Sequence, residues 1–299
     1  MVVYSTSFML RILGTIFAGL LGLAFGSFLN VCLSRWPTGE SVVQPRSHCR
    51  NCEHTLAWWE NIPVVSWLAL RGRCRKCRVA IGLRYPLVEL AVAGLWAFAL
   101  WRSIPSLPDV NLSESMIFSA LVMGLAQMIF LWVLVALAIL DAENLWLPNA
   151  LTFPGIVLGL AWTAAPEQFL PHLNGTRRPL HALLAAVIAA AVAALLILLI
   201  RWIYWLIRRR EGIGIGDVKL MALLGAWLGL QGALLAFGIA AILGATVGVA
   251  LLVMPTSRRE SSTWGTSKLP LGTFLCVGGI VSSFWDQQII AAYLRWSGL

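Results

Sequence analysis

Long apolar runs alternate with short polar segments along this chain. Stretches of about 20 residues, enough to cross a hydrocarbon core of roughly 30 Å, are mostly apolar in seven regions. These regions are residues 12–33, 86–101, 116–140, 150–170, 180–207, 218–254 and 269–294. The sixth would measure about 55 Å as one straight helix, so we expect it to fold back near Gly229, Gln231 and Gly232. The pattern predicts an all-α polytopic membrane protein with about eight transmembrane helices.

The composition supports this fold class. Of the 299 residues, 59% are hydrophobic and only 12% are charged, against roughly a quarter charged in ordinary soluble domains. The chain also contains 26 glycines and 15 tryptophans, which suit close helix packing and the lipid-water boundary. Soluble globular, disordered and disulfide-scaffold classes are therefore excluded.

The positive charges indicate the orientation in the membrane. Fifteen of the 22 lysines and arginines lie in three of four polar segments that eight alternating spans would place on one face. These four segments are residues 34–85, 141–149, 208–217 and 255–268. By the positive-inside rule that face is cytoplasmic. The first apolar run shows no convincing cleavage site, so we interpret it as a retained span and not as a signal peptide.

A polar insert divides the chain into three predicted parts. Residues 1–34 form a first transmembrane helix, residues 35–85 a cytoplasmic insert and residues 86–299 a transmembrane bundle. The insert carries two CxxC pairs, Cys49/Cys52 and Cys74/Cys77. Two such pairs can converge on one tetrahedral Zn²⁺ site, and metal binding would supply folding free energy that a small insert lacks.

Other interpretations of the insert remain open. The four cysteines could form two disulfides or stay unconnected, although a cytoplasmic location disfavours disulfides. His48 and His54 flank the first pair and are expected to be bystanders, while Cys32 and Cys276 lie in apolar runs and are expected to be packing residues. Four thiolates leave no open coordination position, which favours structural zinc.

The insert also carries clustered cations. The arginines and the lysine between residues 71 and 78 lack interleaved stacking aromatics. Such a cluster favours membrane lipid headgroups over nucleic acid as its partner.

Two aspartates stand beside apolar helices on the predicted cytoplasmic face. Asp141 follows the run that ends at Leu140, and Asp217 precedes the run that begins at Val218. A helix that turns near Gly229 would be only about 20 Å long, which would leave Asp217 below the membrane surface. Two carboxylates brought together there cannot both ionise easily and would share a proton, as general acid-base hydrolysis of a peptide requires. Alternatively, Asp217 could only cap its helix and Asp141 could be a solvated loop acid.

The segment before Asp217 is rich in glycine. Gly212, Gly214 and Gly216 alternate with isoleucine, and no Gly-Lys-Ser/Thr follows them, so a nucleotide-binding loop is excluded. Glycines here would let an extended substrate backbone approach closely. Gly214, Gly216 and Lys219 are therefore candidate substrate-binding residues.

Taken together, these motifs resemble the type IV prepilin leader peptidase and N-methyltransferase family, membrane aspartic peptidases of the Gly-x-Gly-Asp type. The resemblance extends over nearly the whole chain. It rests on residues 26–31, the two CxxC pairs, residues 85–90, residues 141–152 and residues 214–220. Two departures are Asn149, where many members have a second Asp, and residues 49–52, which lack a common proline.

The resemblance implies an enzyme with two activities in the bacterial inner membrane. It would remove the basic leader of type IV prepilins or type II secretion pseudopilins at the cytoplasmic face, with Asp141 and Asp217 as the catalytic pair. It would then methylate the new N-terminus with S-adenosylmethionine. Glu89 and Asn30, polar groups near the cytoplasmic ends of apolar runs, are candidates for the methyl-transfer site. Alternatively, Glu89 could only pair with a nearby arginine and Asn30 could only join helices by hydrogen bonding.

Two other classes of function remain as alternatives. In a proton- or cation-coupled transporter the two aspartates would relay protons or bind cations. Such carriers are expected to show inverted repeats, and the sequence shows no such repeat. A membrane-anchored zinc module that only recruits partners would not require acids at two helix ends.

Overall fold

The computed structural model describes residues 2–104, 114–165, 179–210, 212–253 and 269–298. Within these ranges the chain is helical and contains only isolated β-bridges. The helices are α1 (Val2–Arg35), α2 (Val65–Ala69), α3 (Arg84–Ser103), α4 (Glu114–Asn144), α5 (Asn149–Thr163), α6 (Pro179–Arg208), α7 (Ile215–Val253) and α8 (Leu271–Ser297). Two short 3-10 turns cover Trp36–Thr38 and Trp58–Asn61. The predicted all-α class is confirmed.

Several of these helices are suited to a membrane. Five stretches are long and apolar enough to cross one: Phe8–Thr38, Met116–Asn144, Pro179–Arg208, Ile215–Leu251 and Leu271–Ser297. The shorter α5 is also apolar. The chain is therefore a multi-pass membrane protein. The count of eight spans stays a prediction, and the predicted cytoplasmic segment 255–268 lies outside the described residues.

The long helix α7 is interrupted at the predicted position. Gly229 has φ 69° and ψ −179°, a conformation that glycine adopts without the cost a side chain would add. On either side of the break, Leu224 contacts Gly279 of α8 while Ala236 contacts the adjacent Gly278. Because residues before and after Gly229 meet the same level of α8, the chain reverses direction there, as the length of the run predicted.

The described residues form two compact units, and the division between them falls within α4 after Trp132. In the first unit, α1 and α3 pack as an antiparallel pair. A β-carbon added to Gly22 would lie 2.6 Å from Ala93 Cα, and one added to Gly26 would lie 2.7 Å from Glu89 Cα. Glycines four residues apart thus let the two backbones approach closely, a common packing mode of membrane helices.

In the second unit, the first half of α7 packs against α6 and α5. A β-carbon on Gly225 would lie 2.8 Å from Ala190 Cα of α6, and Trp227 Nε1 donates a hydrogen bond of 2.8 Å to Gly155 O of α5. The second half of α7 packs against α8, as the contact of Ala236 with Gly278 shows. This arrangement packs neighbouring helices against the first half of α7 and buries Leu220, Leu223 and Leu224 fully.

The polar insert is held to the α1/α3 pair by hydrogen bonds to the ends of both helices. Arg50 Nη2 donates to Ser34 O of α1 at 2.8 Å, and the Val64 N–H donates to Glu89 Oε2 of α3 at 2.7 Å. Since α1 ends where the insert begins and α3 starts where it ends, the insert lies at one end of the antiparallel pair.

Close packing of α8 on α7 makes one glycine intolerant of substitution. We expect Gly278→Ala to destabilise the protein by about 1–3 kcal/mol, because the new methyl group would overlap the carbonyl of Ala236, whose carbon lies 2.9 Å away. Gly238→Ala is the matched control, since its β-carbon would meet open space. Thermal denaturation in detergent should show a lower melting temperature for Gly278→Ala alone. Equal melting temperatures for the two variants would contradict this packing.

Candidate active site and metal centre

Asp141 lies in the last turn of α4 and is buried, with 5% of its surface exposed. Its Oδ2 accepts a hydrogen bond of 2.7 Å from the Thr273 backbone N–H and one of 3.2 Å from Thr273 Oγ1. Thr273 stands in the first turn of α8, where backbone N–H groups lack partners within the helix. Asp141 is thus not a solvated loop acid, because its carboxylate binds the N-terminus of another helix.

Asp217 lies in the first turn of α7 and is 8% exposed. Its Oδ2 accepts a hydrogen bond of 3.1 Å from the Gly214 N–H, three residues earlier. Such a contact is half of a capping box, in which an acid at the third helical position binds the backbone of the capping residue. The predicted capping alternative is therefore partly realised, although Gly214 and not Asp217 stands at the cap position.

Leu147 lies against the starts of both helices that flank the two aspartates. A β-carbon on Gly216, next to Asp217, would lie 3.0 Å from Leu147 Cβ, and one on Gly272 would lie 3.0 Å from Leu147 Cδ1. The same added atom on Gly272 would lie 2.9 Å from Asp141 Cγ. The two carboxylates are close enough to interact electrostatically. The structure thus brings together the acids that the sequence paired.

The glycine-rich segment and Lys219 lie beside this pair. Gly214 is exposed and Gly216 contacts Leu147. The Lys219 Nζ donates a hydrogen bond of 2.6 Å to Asn149 Oδ1 and lies 5.5 Å from the centre of the Phe153 ring. This bond links α7 to the first residue of α5 and fixes the position of the Lys219 ammonium beside α5.

The four cysteines of the insert converge on one point. Their Sγ atoms all lie within 4.8 Å of one another, with 3.8 Å between Cys49 and Cys77 and 4.0 Å between Cys52 and Cys74. A tetrahedral site with bonds of about 2.3 Å places its sulfurs about 3.8 Å apart. All four are free thiols, and their spacing fits a four-coordinate metal ion.

The two cysteine pairs form the same turn. The Cys49 N–H donates to His54 O at 2.9 Å, and the Cys74 N–H donates to Val79 O at 2.9 Å. One isolated antiparallel bridge accompanies each turn. This repeated backbone conformation points the sulfurs of each pair toward the other pair.

Electrostatics at the cluster favour a thiolate. Hydrogen bonds from the Asn51 side chain and the Val79 backbone lower the pKa of Cys77 to about 6, whereas burial and hydrogen bonds with the other three thiols raise the pKa of Cys52 to about 11. Cys77 is therefore the member of the cluster that most readily forms the thiolate, the form that binds metals. The two flanking histidines have other contacts: His54 Nε2 lies 3.3 Å from Glu60 Oε2, and His48 Nδ1 lies 3.0 Å from Arg46 O. The thiols of Cys32 and Cys276 are buried within helices.

Asn30 and Glu89 occupy buried positions in the first unit. Asn30 is 2% exposed; its Nδ2 donates to Tyr85 O at 2.9 Å, while its Oδ1 has no hydrogen-bond partner among the described residues. Glu89 is 7% exposed and accepts the Val64 N–H. Val64 has φ 59°, a positive value that is strained for a β-branched residue. Such strain is often found at functional sites.

The sequence did not single out Gly272 and Thr273 as site residues. Both stand at the start of an apolar run, and a glycine followed by threonine at a helix start is an ordinary pattern. Their role depends on contact with Asp141, which is far away in the chain. The one local signal is Pro270 just before α8, which marks a helix start. The first backbone N–H groups of a helix lack partners within that helix.

Comparison with known families gave two matches. Residues 20–103 match the family described as the Bacterial Peptidase A24 N-terminal domain, and residues 128–249 match the Type IV leader peptidase family. The second match includes both aspartates and the glycine-rich segment, and the first includes the cysteine cluster.

Curated relatives extend these matches to most of the chain. A protein of Pseudomonas putida named prepilin leader peptidase/N-methyltransferase is 34% identical over 94% of this chain and 94% of its own length. A protein of that name from Pseudomonas aeruginosa is 34% identical over 93% of both chains, and one from Myxococcus xanthus is 38% identical over 86% of this chain and 68% of its own. No solved structure matches. The predicted resemblance is confirmed, and the chain belongs to the type IV leader peptidase family.

Proposed function

We propose that this protein removes the basic leader peptide of type IV prepilins or type II secretion pseudopilins and then methylates the new N-terminus. The names of its relatives support both activities. The observation that carries the cleavage reaction is the burial of Asp141 and Asp217 within electrostatic reach of each other. Family membership also favours this enzyme over the transporter and anchor alternatives.

Cleavage by this pair needs no covalent intermediate. One aspartate, in its ionised form, takes a proton from water while the water oxygen bonds to the scissile carbonyl carbon. The partner, in its protonated form, gives its proton to the carbonyl oxygen. When the carbonyl reforms, its hydroxyl proton returns to the partner aspartate, the carbon–nitrogen bond breaks, and the leaving amine takes a proton from the first aspartate. The leader thus ends in a carboxylate and the pilin in an amine.

The hydrogen bonds of the two aspartates support this role. Each Oδ2 is held by a backbone N–H at a helix N-terminus, from Thr273 for Asp141 and from Gly214 for Asp217. Donors fixed in advance need not reorganise during the reaction. The fold thus holds these donors in the orientation that water molecules would otherwise have to adopt during the reaction.

We assign the substrate backbone to the glycine-rich segment. Gly214 is exposed beside Asp217, and the lack of side chains at Gly214 and Gly216 lets an extended chain approach. Lys219, whose ammonium is held by Asn149, would contribute a positive charge to substrate binding from the first turns of the same helix.

Methyl transfer is assigned to Asn30 and Glu89. S-adenosylmethionine supplies an activated methyl group on a sulfonium when bound. The unpartnered Asn30 Oδ1 can accept a hydrogen bond from an amine, and buried Glu89 offers negative charge to a cation. These residues therefore fit a cationic methyl donor and the amine that receives the methyl group.

Zn²⁺ is the ion that we propose for the cysteine cluster. Four thiolates in tetrahedral spacing suit this ion and close its coordination sphere. The role of the ion is then structural, since no position is left for water or substrate.

We further propose that residues 1–34 form an anchoring helix, residues 35–85 a cytoplasmic zinc insert and residues 86–299 the peptidase bundle in the inner membrane. The cations Arg71, Arg73, Arg75, Lys76 and Arg78 are all exposed. They suit anionic lipid headgroups, and no nucleic acid partner is proposed.

Removing either carboxylate charge should abolish cleavage. We expect Asp141→Asn and Asp217→Asn each to lower the rate at least about 1,000-fold, because each keeps the shape of the side chain but not its proton chemistry. Mass spectrometry of a prepilin incubated with purified enzyme measures this. Glu143→Gln, which changes an exposed acid in the same turn as Asp141, should cleave normally. Near-normal turnover by either aspartate variant would disprove the pair.

Metal analysis tests the cysteine cluster. The intact, reduced protein should contain one Zn²⁺ per chain, and Cys74→Ser should lose most of it because a buried ligand is removed. Cys32→Ala, which removes a buried thiol outside the cluster, should keep its metal. Absence of metal from the unmodified protein would refute the site.

Substitutions should affect the two activities separately. Asn30, Glu89 and the four cysteines lie in one compact unit, and both aspartates lie in the other. Asp217→Ala should stop cleavage and still methylate a pilin whose leader has already been removed. Cys74→Ser should impair methylation more than cleavage. Each variant is assayed for prepilin cleavage and for methyl incorporation. Equal loss of both activities in a folded Asp217→Ala protein would indicate one shared site.

A further inference from the structure

The segment that precedes Asp217 is held against helix α6 by two side chains. The Arg201 Nη1 donates a hydrogen bond to Ile213 O. The Tyr204 ring packs on Gly212, where an added β-carbon would lie 2.6 Å from Tyr204 Cδ1. Arg201 and Tyr204 are three residues apart on α6 and therefore lie on the same side of the helix.

The hydrogen bond from Arg201 reaches Asp217 through a single peptide group. Ile213 C=O and Gly214 N–H belong to the same amide, and this N–H donates to Asp217 Oδ2 at 3.1 Å. The guanidinium therefore binds one side of the amide while the carboxylate binds the other. A cation on the carbonyl oxygen polarises the amide and strengthens its N–H as a donor.

Glycine makes this support necessary. Gly212, Gly214 and Gly216 have wide conformational freedom, so the plane of the amide between residues 213 and 214 is not fixed by local sterics. Helix α6 supplies the missing constraint through a side chain that carries charge at every working pH.

We infer that Arg201 is a positioning residue, which orients the carboxylate of Asp217 through the peptide group of Ile213 and Gly214. The inference rests on the proposed function for its effect on catalysis. The restraint on the glycine-rich segment stands independently of that function. In this role Arg201 acts by fixing the donor to Asp217.

The first test measures the restraint without activity. Hydrogen–deuterium exchange of peptides that cover residues 212–218 should be faster in Arg201→Met and Arg201→Gln than in the unmodified protein, because the Gly214 amide loses its fixed orientation. Arg208→Met is the matched control, since Arg208 is an exposed cation on the same helix, and its exchange should be unchanged. Unaltered exchange in folded Arg201 variants would overturn the inference, whatever the enzyme does.

The second test measures the consequence for cleavage. Arg201→Met and Arg201→Gln should lower kcat for prepilin cleavage by roughly tenfold or more with little change in KM. Arg201→Lys, which keeps a cationic donor, should recover most of the rate. A loss confined to KM, or no rescue by lysine, would contradict the positioning role.

The two measurements separate failure of this inference from failure of the proposed function. If the unmodified protein cleaves no prepilin, the proposed function fails, yet faster exchange in the Arg201 variants would still support the restraint. If Asp217→Asn abolishes cleavage while the Arg201 variants match the unmodified protein in kcat and exchange, the proposed function stands and the inference fails.

Discussion

A carboxylate inside an apolar helix bundle is stable only where hydrogen-bond donors replace the water that it has lost. In this protein the donors are backbone N–H groups at the N-termini of α7 and α8. The need to bring two helix N-termini to one place explains the break at Gly229. The first half of α7 runs parallel to α8 because the chain reverses there. With an unbroken α7, Asp217 would lie at the far end of a helix about 57 Å long.

Small residues make the rest of this arrangement possible. Lipid chains are as apolar as the side chains they touch, so helices in a membrane associate through close van der Waals contact and hydrogen bonds. Gly22 and Gly26 provide this contact between α1 and α3, and Gly225 and Gly278 provide it around α7. At Gly272 the same lack of a side chain has a second use, because it leaves room for the carboxyl group of Asp141.

Features that depend on spacing along the chain could be predicted from the sequence. The length of the sixth apolar run required a reversal near Gly229, and the two CxxC pairs required sulfurs that meet. The polarity of Asp141 and Asp217 beside long apolar runs pointed to a pair. The contacts of Thr273 and Arg201 could not be predicted, because each joins residues of different elements and neither residue type is unusual where it stands. The closeness of α3 to α1 was likewise hidden, since the polar insert separates them in the chain.

The cysteine cluster also affects the connection between α1 and α3. A metal bound by the four thiolates would join Cys49 to Cys77. The number of residues in the connection from Arg35 to Arg84 that such a crosslink leaves unconstrained would then fall to less than half. Each doubling of a loop costs only about 0.6 kcal/mol in closure entropy, whereas the insert has little apolar core with which to fold alone. Loss of the ion would thus unfold the insert and leave the helix pair, held by Gly22 and Gly26, largely intact. The same chain would then hold an ordered pair of helices joined by a disordered loop.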